Sequence, residues 1–314
     1  MLHSCFCIRQ SLFLLFTTVL SASLLPSCGQ KENQVVPRPY SRVKTLPVEE
    51  SAGGVTFRGD LYYYGPARID DHGFEWKDPA EPTTANTYRH SLGPKEGTGT
   101  ISALITSSLE PGRLYYLRAY AKAGNHTVYG NEIRFDSKGS PAPVIEGVLP
   151  ARITFNDTIT IRGKHFNMLL PHNKVRLNEQ EARVLAASDT ELRVKVPLTL
   201  IQAAVKVSVK TGERYVSLEN AFRLAPPVIA GFSPESGSHG TLVTITGANF
   251  NPVAYQNRVQ FGDQASGDVL EAAANRLVVR LFYAVQSTSA VPVKVTVAGQ
   301  TATAATSFNL INTR

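Results

Sequence analysis

Between residues 143 and 312 the apolar positions alternate with polar ones at a period of two. The apolar residues are mostly β-branched, and Gly, Pro, Asn or Asp separates the runs. This alternation predicts half-buried antiparallel strands at the spacing of an all-β sandwich. The same pattern occurs twice. PVIEGVLP from Pro143 matches PVIAGFSP from Pro227 at an offset of 84, and TITIRGKHFN (158–167) matches VTITGANFN (243–251). The offset aligns Gly163 with Gly247 and Phe166 with Phe250, and Val175/Leu177 with Val259/Phe261. After one inserted residue it becomes 85, pairing Leu192, Val194 and Val196 with Leu277, Val279 and Leu281. Each copy closes on an alternating valine run, Val205–Val209 or Val293–Val297, and then Phe222 or Phe308. Such self-similarity marks a tandem duplication.

One stretch has helix-forming composition, VLEAAANRLVVRL (269–281). Its partner in the first copy, VLAASDTELRVKV (184–196), is broken by Ser188 and Asp189, so strand, turn, strand is expected in both. The order P-x-I-x-x-x-x-P, Gly-rich turn, V-T-I-x-G-x-x-F and S-D-T-E-L-x-V-x-V-P resembles the IPT/TIG domain, an immunoglobulin-like fold. The resemblance covers 142–225 and 226–312. The first copy departs from it at ARITFND (151–157), where the glycine-rich turn is missing, whereas the second keeps SGSHGT (236–241).

Residues 48–138 form a third unit of another kind. Leu109, Pro111 and Tyr115 stand at the spacing of a tyrosine corner, and the alternating run after them resembles a fibronectin type III module. Alternation turns Tyr115, Leu117, Ala119 and Ala121 inward and Tyr116, Arg118 and Tyr120 to the opposite face. The phrases RAYA and VYG are similar to modules of Bacteroidota surface lipoproteins. The fold class expected for the chain is therefore all-β, with three immunoglobulin-like or fibronectin-like sandwiches in tandem.

The N-terminal end changes the picture from fold to address. Ser11 to Leu25 carries no charge, is shorter than the roughly 20 apolar residues of a membrane span, and ends in Leu-Pro-Ser-Cys-Gly (25–29). This resembles the lipobox of bacterial lipoproteins, which implies removal of 1–27 and a lipid on Cys28. Cys5 and Cys7 would leave with the signal, so Cys28 is the one cysteine of the exported chain. Residues 28–47, polar and holding Pro37, Pro39 and Pro47, read as an extended tether. Loss of Arg9 with the signal lowers the formal charge of +7 by one, to +6. The basic residues are interspersed with acids rather than clustered, which argues against a nucleic-acid partner.

No constellation carries catalytic chemistry. The histidines are scattered without H-x-x-x-H spacing, so no metal is expected. Ser236, Ser238 and His239 lack the strand-to-helix elbow a nucleophilic serine needs. Asp70-Asp71 lacks the alternating oxygens of a calcium loop. No phosphate loop or other cofactor motif is present. The expectation is a non-enzymatic lipoprotein of the cell envelope, anchored in the outer membrane and facing the cell surface. Exposed aromatics of the first module, Trp76, Tyr116 and Tyr120, are the candidate ligand-binding residues, since a ring face can stack on a sugar. The resemblances imply a role in surface glycan capture with a polysaccharide partner. The alternative is a spacer or docking subunit of an outer-membrane protein complex. Cells fed radiolabelled palmitate are expected to label the wild-type chain and not Cys28→Ala.

Overall fold

The computed structural model describes residues 40–80, 87–263, 265–283 and 289–311. The signal segment, Cys28 and most of the expected tether lie outside the described residues. In the first module the strands are β1 (Arg42–Ser51), β2 (Gly54–Tyr63), β3 (Asp71–Lys77), β4 (Thr87–Ser91), β5 (Gly99–Ile105), β6 (Leu114–Ala123), β7 (His126–Tyr129) and β8 (Ile133–Asp136). They form one sheet in the order β1-β2-β5 and a second in the order β4-β3-β6-β7, with β8 also paired to β6. Phe57 of β2 joins the sheets: its ring meets Trp76, Phe135 and Phe74 edge-on at 5.2, 5.6 and 5.7 Å. Aromatic pairs favour that geometry because the positive ring edge faces the negative ring face. The expected inward set, Tyr115, Leu117, Ala119 and Ala121, is buried. The hydroxyl of Tyr115 accepts the Glu110 N–H at 3.0 Å, which forms the tyrosine corner.

The tether is shorter than expected. Residues 42–47 are the first part of β1, where Val43 and Thr45 turn inward and are buried. Pro47 is accommodated because the β1–β2 register shifts between Leu46 and Glu49, at a sheet edge where a missing N–H is tolerated.

The second module comprises β9 (Val144–Leu149), β10 (Arg152–Ile153), β11 (Thr158–Lys164), β12 (Asn173–Leu177), β13 (Gln180–Ala182), β14 (Val184–Ala187), β15 (Glu191–Lys195), β16 (Ala204–Thr211) and β17 (Arg214–Leu224). Its sheets run β14-β15-β11-β9 and β10-β17-β16-β12-β13. The third comprises β18 (Val228–Ser233), β19 (Ser236–Gly237), β20 (Leu242–Ala248), β21 (Asn257–Phe261), β22 (Ala265–Ala273), β23 (Arg276–Tyr283), β24 (Ser289–Val297) and β25 (Gln300–Leu310). There the hydrogen bonds are continuous in the order β18-β20-β23-β22-β21-β24-β25-β19. The difference lies in one strand. β22 pairs with both β21 and β23, whereas its counterpart in the second module breaks at Arg183 into β13 and β14. The helix-like stretch 269–281 is strand, turn, strand, as its repeat partner requires.

Equivalent positions do equivalent work. A Cβ on Gly163 or Gly247 would collide with the carbonyl oxygen of Val144 or Val228, and with the ring of Phe166 or Phe250. His165 and Asn249 both adopt a left-handed backbone, at φ 62° and 61°. Where the first copy lacks the glycine turn, Asn156 (φ 65°) replaces Gly240 (φ 83°). Asn tolerates that region better than most residues with a side chain. Asp157 closes the turn by accepting from the N–H and hydroxyl of Thr154.

After each G-x-x-F stands a buried asparagine. The Asn167 N–H donates to Asn173 Oδ1 at 3.0 Å, its Oδ1 accepts from Leu169 N, and Asn173 Nδ2 donates back to its carbonyl. Asn251 repeats this with Asn257 and Val253. In both copies the side-chain NH2 reaches the preceding module: Asn167 Nδ2 donates to Tyr88 OH at 3.3 Å, and Asn251 Nδ2 to Leu198 O at 2.7 Å. Asn251→Ala leaves several buried polar groups without partners, each worth about 1–3 kcal/mol. Its urea midpoint by circular dichroism is expected to fall. The fluorescence midpoint of Trp76, the single tryptophan and a first-module core residue, should move less.

Candidate functional site

The outer face of the β4-β3-β6-β7/β8 sheet in the first module gathers the side chains that alternation turns away from the core. Cross-strand register sets Lys77 and Arg134 on either side of Tyr116, Glu75 between Arg118 and Arg89, and Tyr120 beside Tyr129. The result is an interlaced array. Arg89 lies 4.0 Å over the Tyr120 ring and Arg118 lies 3.8 Å over the Tyr129 ring. The buried Glu75 carboxylate takes Arg118 at 3.1 Å, Arg89 at 3.5 Å and the Tyr129 hydroxyl at 3.3 Å. Arg134 and Lys77 stand 5.0 and 5.8 Å from the centre of the Tyr116 ring. Each cation is held by a ring face and most by an acid as well, so the array is fixed in place.

The three expected stacking aromatics are not brought together. Trp76 is 1% exposed and belongs to the core, stacked on Tyr88 at 5.2 Å with the planes 9° apart. The expectation of an exposed platform ring there is corrected: Trp76 alternates with Glu75, and Glu75 takes the outer face. Tyr120 does sit on the outer face, yet it is fully buried. Directly opposite it stands Gly73; the Tyr120 hydroxyl donates to Asp71 at 2.8 Å, and Arg89 covers the ring. Tyr116 alone of the three keeps an accessible edge. Sequence reasoning missed Arg89, Arg134 and Glu75. The signal available was period-two spacing on neighbouring strands, which becomes informative once the strand order is known.

Elsewhere the chemistry is structural. Ser236-Gly237 is the short strand β19, and the Ser238 N–H donates to Thr241 Oγ1 at 3.0 Å in the turn that follows. The His239 ring packs 5.0 Å from Phe282. Asp70 accepts the Gly124 N–H at 2.7 Å. Among the described residues no group of three or more His, Cys, Asp or Glu is placed to hold a metal ion.

The two repeated modules match the profile of the IPT/TIG domain at residues 143–223 and 227–310. The chain belongs to the IPT/TIG domain family. Its tandem IPT/TIG modules follow the two-sheet first module described above. No curated protein matches the chain. Among solved structures, the surface glycan-binding protein PbSGBP-B from Prevotella bryantii shares 17% identity over 54% of this chain and 42% of its own, with TM-score 0.34. SGBP-B from a complex xyloglucan utilization locus in Bacteroides uniformis shares 22% over 54% of this chain and 49% of its own, TM-score 0.25. A structural genomics protein of unknown function from Bacteroides thetaiotaomicron shares 26% over 28% and 22%, TM-score 0.26. The chain thus spans less than two-thirds of the length of each of these structures.

The array also has a titration signature. Burial opposes the charge of Asp71, but hydrogen bonds from Ser91, Tyr120 and the Gly93 N–H, with the nearby Arg89 charge, outweigh it and hold the carboxyl below its usual value. Burial and the bond to Asp71 push the Tyr120 phenol up to about 12, so at neutral pH it is a donor. A folded value below the unfolded one, about 3.9, contributes stability that is complete above the unfolded value and lost as pH falls through the folded one. Asp71→Asn is expected to be less stable than wild type at neutral pH. Its melting temperature should fall less than the wild type's between about pH 4 and pH 2.

Proposed function

We propose that the protein is a non-catalytic binding protein, held at the cell surface by a lipid on Cys28, that captures glycan on the outer face of its first module. The observation that carries this reading is the array around Glu75 and Tyr116. The sheet face holds fixed donors, fixed acceptors and two accessible rings, Tyr116 and Tyr129. A polyhydroxylated ligand needs that combination, because its ring faces are apolar and its rim hydroxyls require partners. Preorganisation matters here, since side chains already held by neighbours lose little entropy when a ligand arrives.

The spacer reading also has an observation in its favour. Each IPT/TIG module hooks the module before it through the same asparagine, and Gln300 Nε2 adds a bond to Leu224 O at 3.1 Å. The second and third modules share one continuous apolar core. Such coupling suits an arm that holds a distal surface away from the membrane.

The deciding experiment is a glycan array probed with the full chain in a sugar-free detergent. A coherent polysaccharide class is expected to bind, and Tyr116→Ala should weaken it by about 1 kcal/mol, roughly fivefold. A blank array on folded protein sinks glycan capture and leaves the spacer reading, to be pursued by isolating membrane partners.

A further inference from the structure

The strongest unassigned feature is a cleft of about 410 Å³ where the first module meets the second. That size falls within the range of small-molecule sites, about 300–1,000 Å³, which favour domain junctions. Its walls are the β1–β2 hairpin (Glu50, Ser51, Ala52), the linker Lys138–Pro141, and Arg214 at the start of β17. All three walls are held in place. Glu50 accepts from both the Lys138 N–H (3.2 Å) and its ammonium (3.1 Å), and its side chain is only 17% exposed. Ser140 exchanges bonds with Leu109, its N–H donating at 2.8 Å and its hydroxyl accepting at 3.0 Å. The β16–β17 turn abuts the first module at Gly212, where a Cβ would meet Glu110 at 3.2 Å.

The charges in this cleft do not balance. Lys138 and Glu50 neutralise each other, whereas Arg214 has no carboxylate within 4.0 Å among the described residues. A second opening on the other flank of the same turn, about 150 Å³, is lined by Lys174, Lys210 and His172 against Glu110 and Glu213. Of these, Lys210 is paired with Glu213, and Lys174 has no acid partner among the described residues. The second opening therefore sets two lysines against two glutamates, and the surplus positive charge is Arg214 in the first cleft. An arginine fork matches a planar carboxylate through two parallel N–H bonds, which a neutral sugar hydroxyl cannot reproduce.

We propose that the cleft between the β1–β2 hairpin, the linker and Arg214 binds a carboxylate-bearing saccharide, with Arg214 taking the carboxylate. The ligand class rests on the glycan-capture reading; the site is separate from the Tyr116 face. The polar walls, Ser51 and the linker backbone, would serve the hydroxyls.

The test is calorimetric titration of the full chain in sugar-free detergent, with oligogalacturonate in one arm and a neutral cello-oligosaccharide of equal length in the other. Oligogalacturonate is expected to bind, more weakly at higher salt. Arg214→Gln should weaken it by roughly tenfold or more, and Arg258→Gln, at an exposed arginine of the third module, by less than about twofold. Arg214→Lys, which keeps the charge and loses the fork, should fall between wild type and Arg214→Gln. An unchanged circular-dichroism melt in each variant separates lost binding from lost folding. Failure of oligogalacturonate to bind overturns the proposal, as does an equal loss in Arg258→Gln and Arg214→Gln. Binding of the neutral oligomer alone overturns it while leaving glycan capture intact. A blank in both arms and across the array removes both readings.

Discussion

A side-chain amide offers two N–H bonds and one carbonyl oxygen, and a loop that turns out of a strand needs only some of them. In both IPT/TIG modules the buried asparagine after the phenylalanine uses its oxygen and its backbone to close its own loop, with Asn173 or Asn257 completing the exchange. What remains is the side-chain NH2, which cannot be left bare in a buried site. It is satisfied by the module upstream: Tyr88 in one case, Leu198 in the other. One local need thus sets the junctions of the chain. Burial of Met168 and Leu169 against the first-module core, and the cleft beside Arg214, both depend on that placement.

The first module shows a different balance between its two faces. Inside, Phe57 and Trp76 fill the space between the sheets with an edge-on ring contact, and the buried Thr45 hydroxyl accepts the Ala119 N–H. Outside, the same strands carry rings and guanidinium groups in alternation, so aromatic area is covered by cations rather than by hydrocarbon. Gly73 is where the two meet. Tyr120 stands opposite it, its hydroxyl donating to Asp71 and its ring under Arg89. The ring becomes part of the scaffold, and the accessible aromatic surface is left to Tyr116 and Tyr129.

The repeated modules differ in the strand that crosses between sheets. In the third module it is unbroken and joins the sheets by hydrogen bonds, while in the second it breaks at Arg183. The buried valines are the same in number and position on β16 and β24, so the packing between sheets tolerates either edge. Burial rather than the crossover strand holds the two sheets together.

Much of this was legible in the residues alone. Period-two alternation determined the strands, the offset of 84 residues determined that two modules share one fold, and the Leu109–Pro111–Tyr115 spacing determined the tyrosine corner. The repeat even overruled helix-forming composition at 269–281, because one backbone cannot be strand in one copy and helix in the other while both bury the same pattern. Alternation reports only which side of a strand a residue faces. Whether Tyr120 is bare or covered depends on the residue opposite and on the cation from the next strand but one, and those are set by strand order and register. The same holds for Arg214, an ordinary hairpin arginine in the sequence. It became the unpaired wall of a cleft only when the second module docked against the first, because charge balance in a cleft is decided by neighbours far apart in the chain.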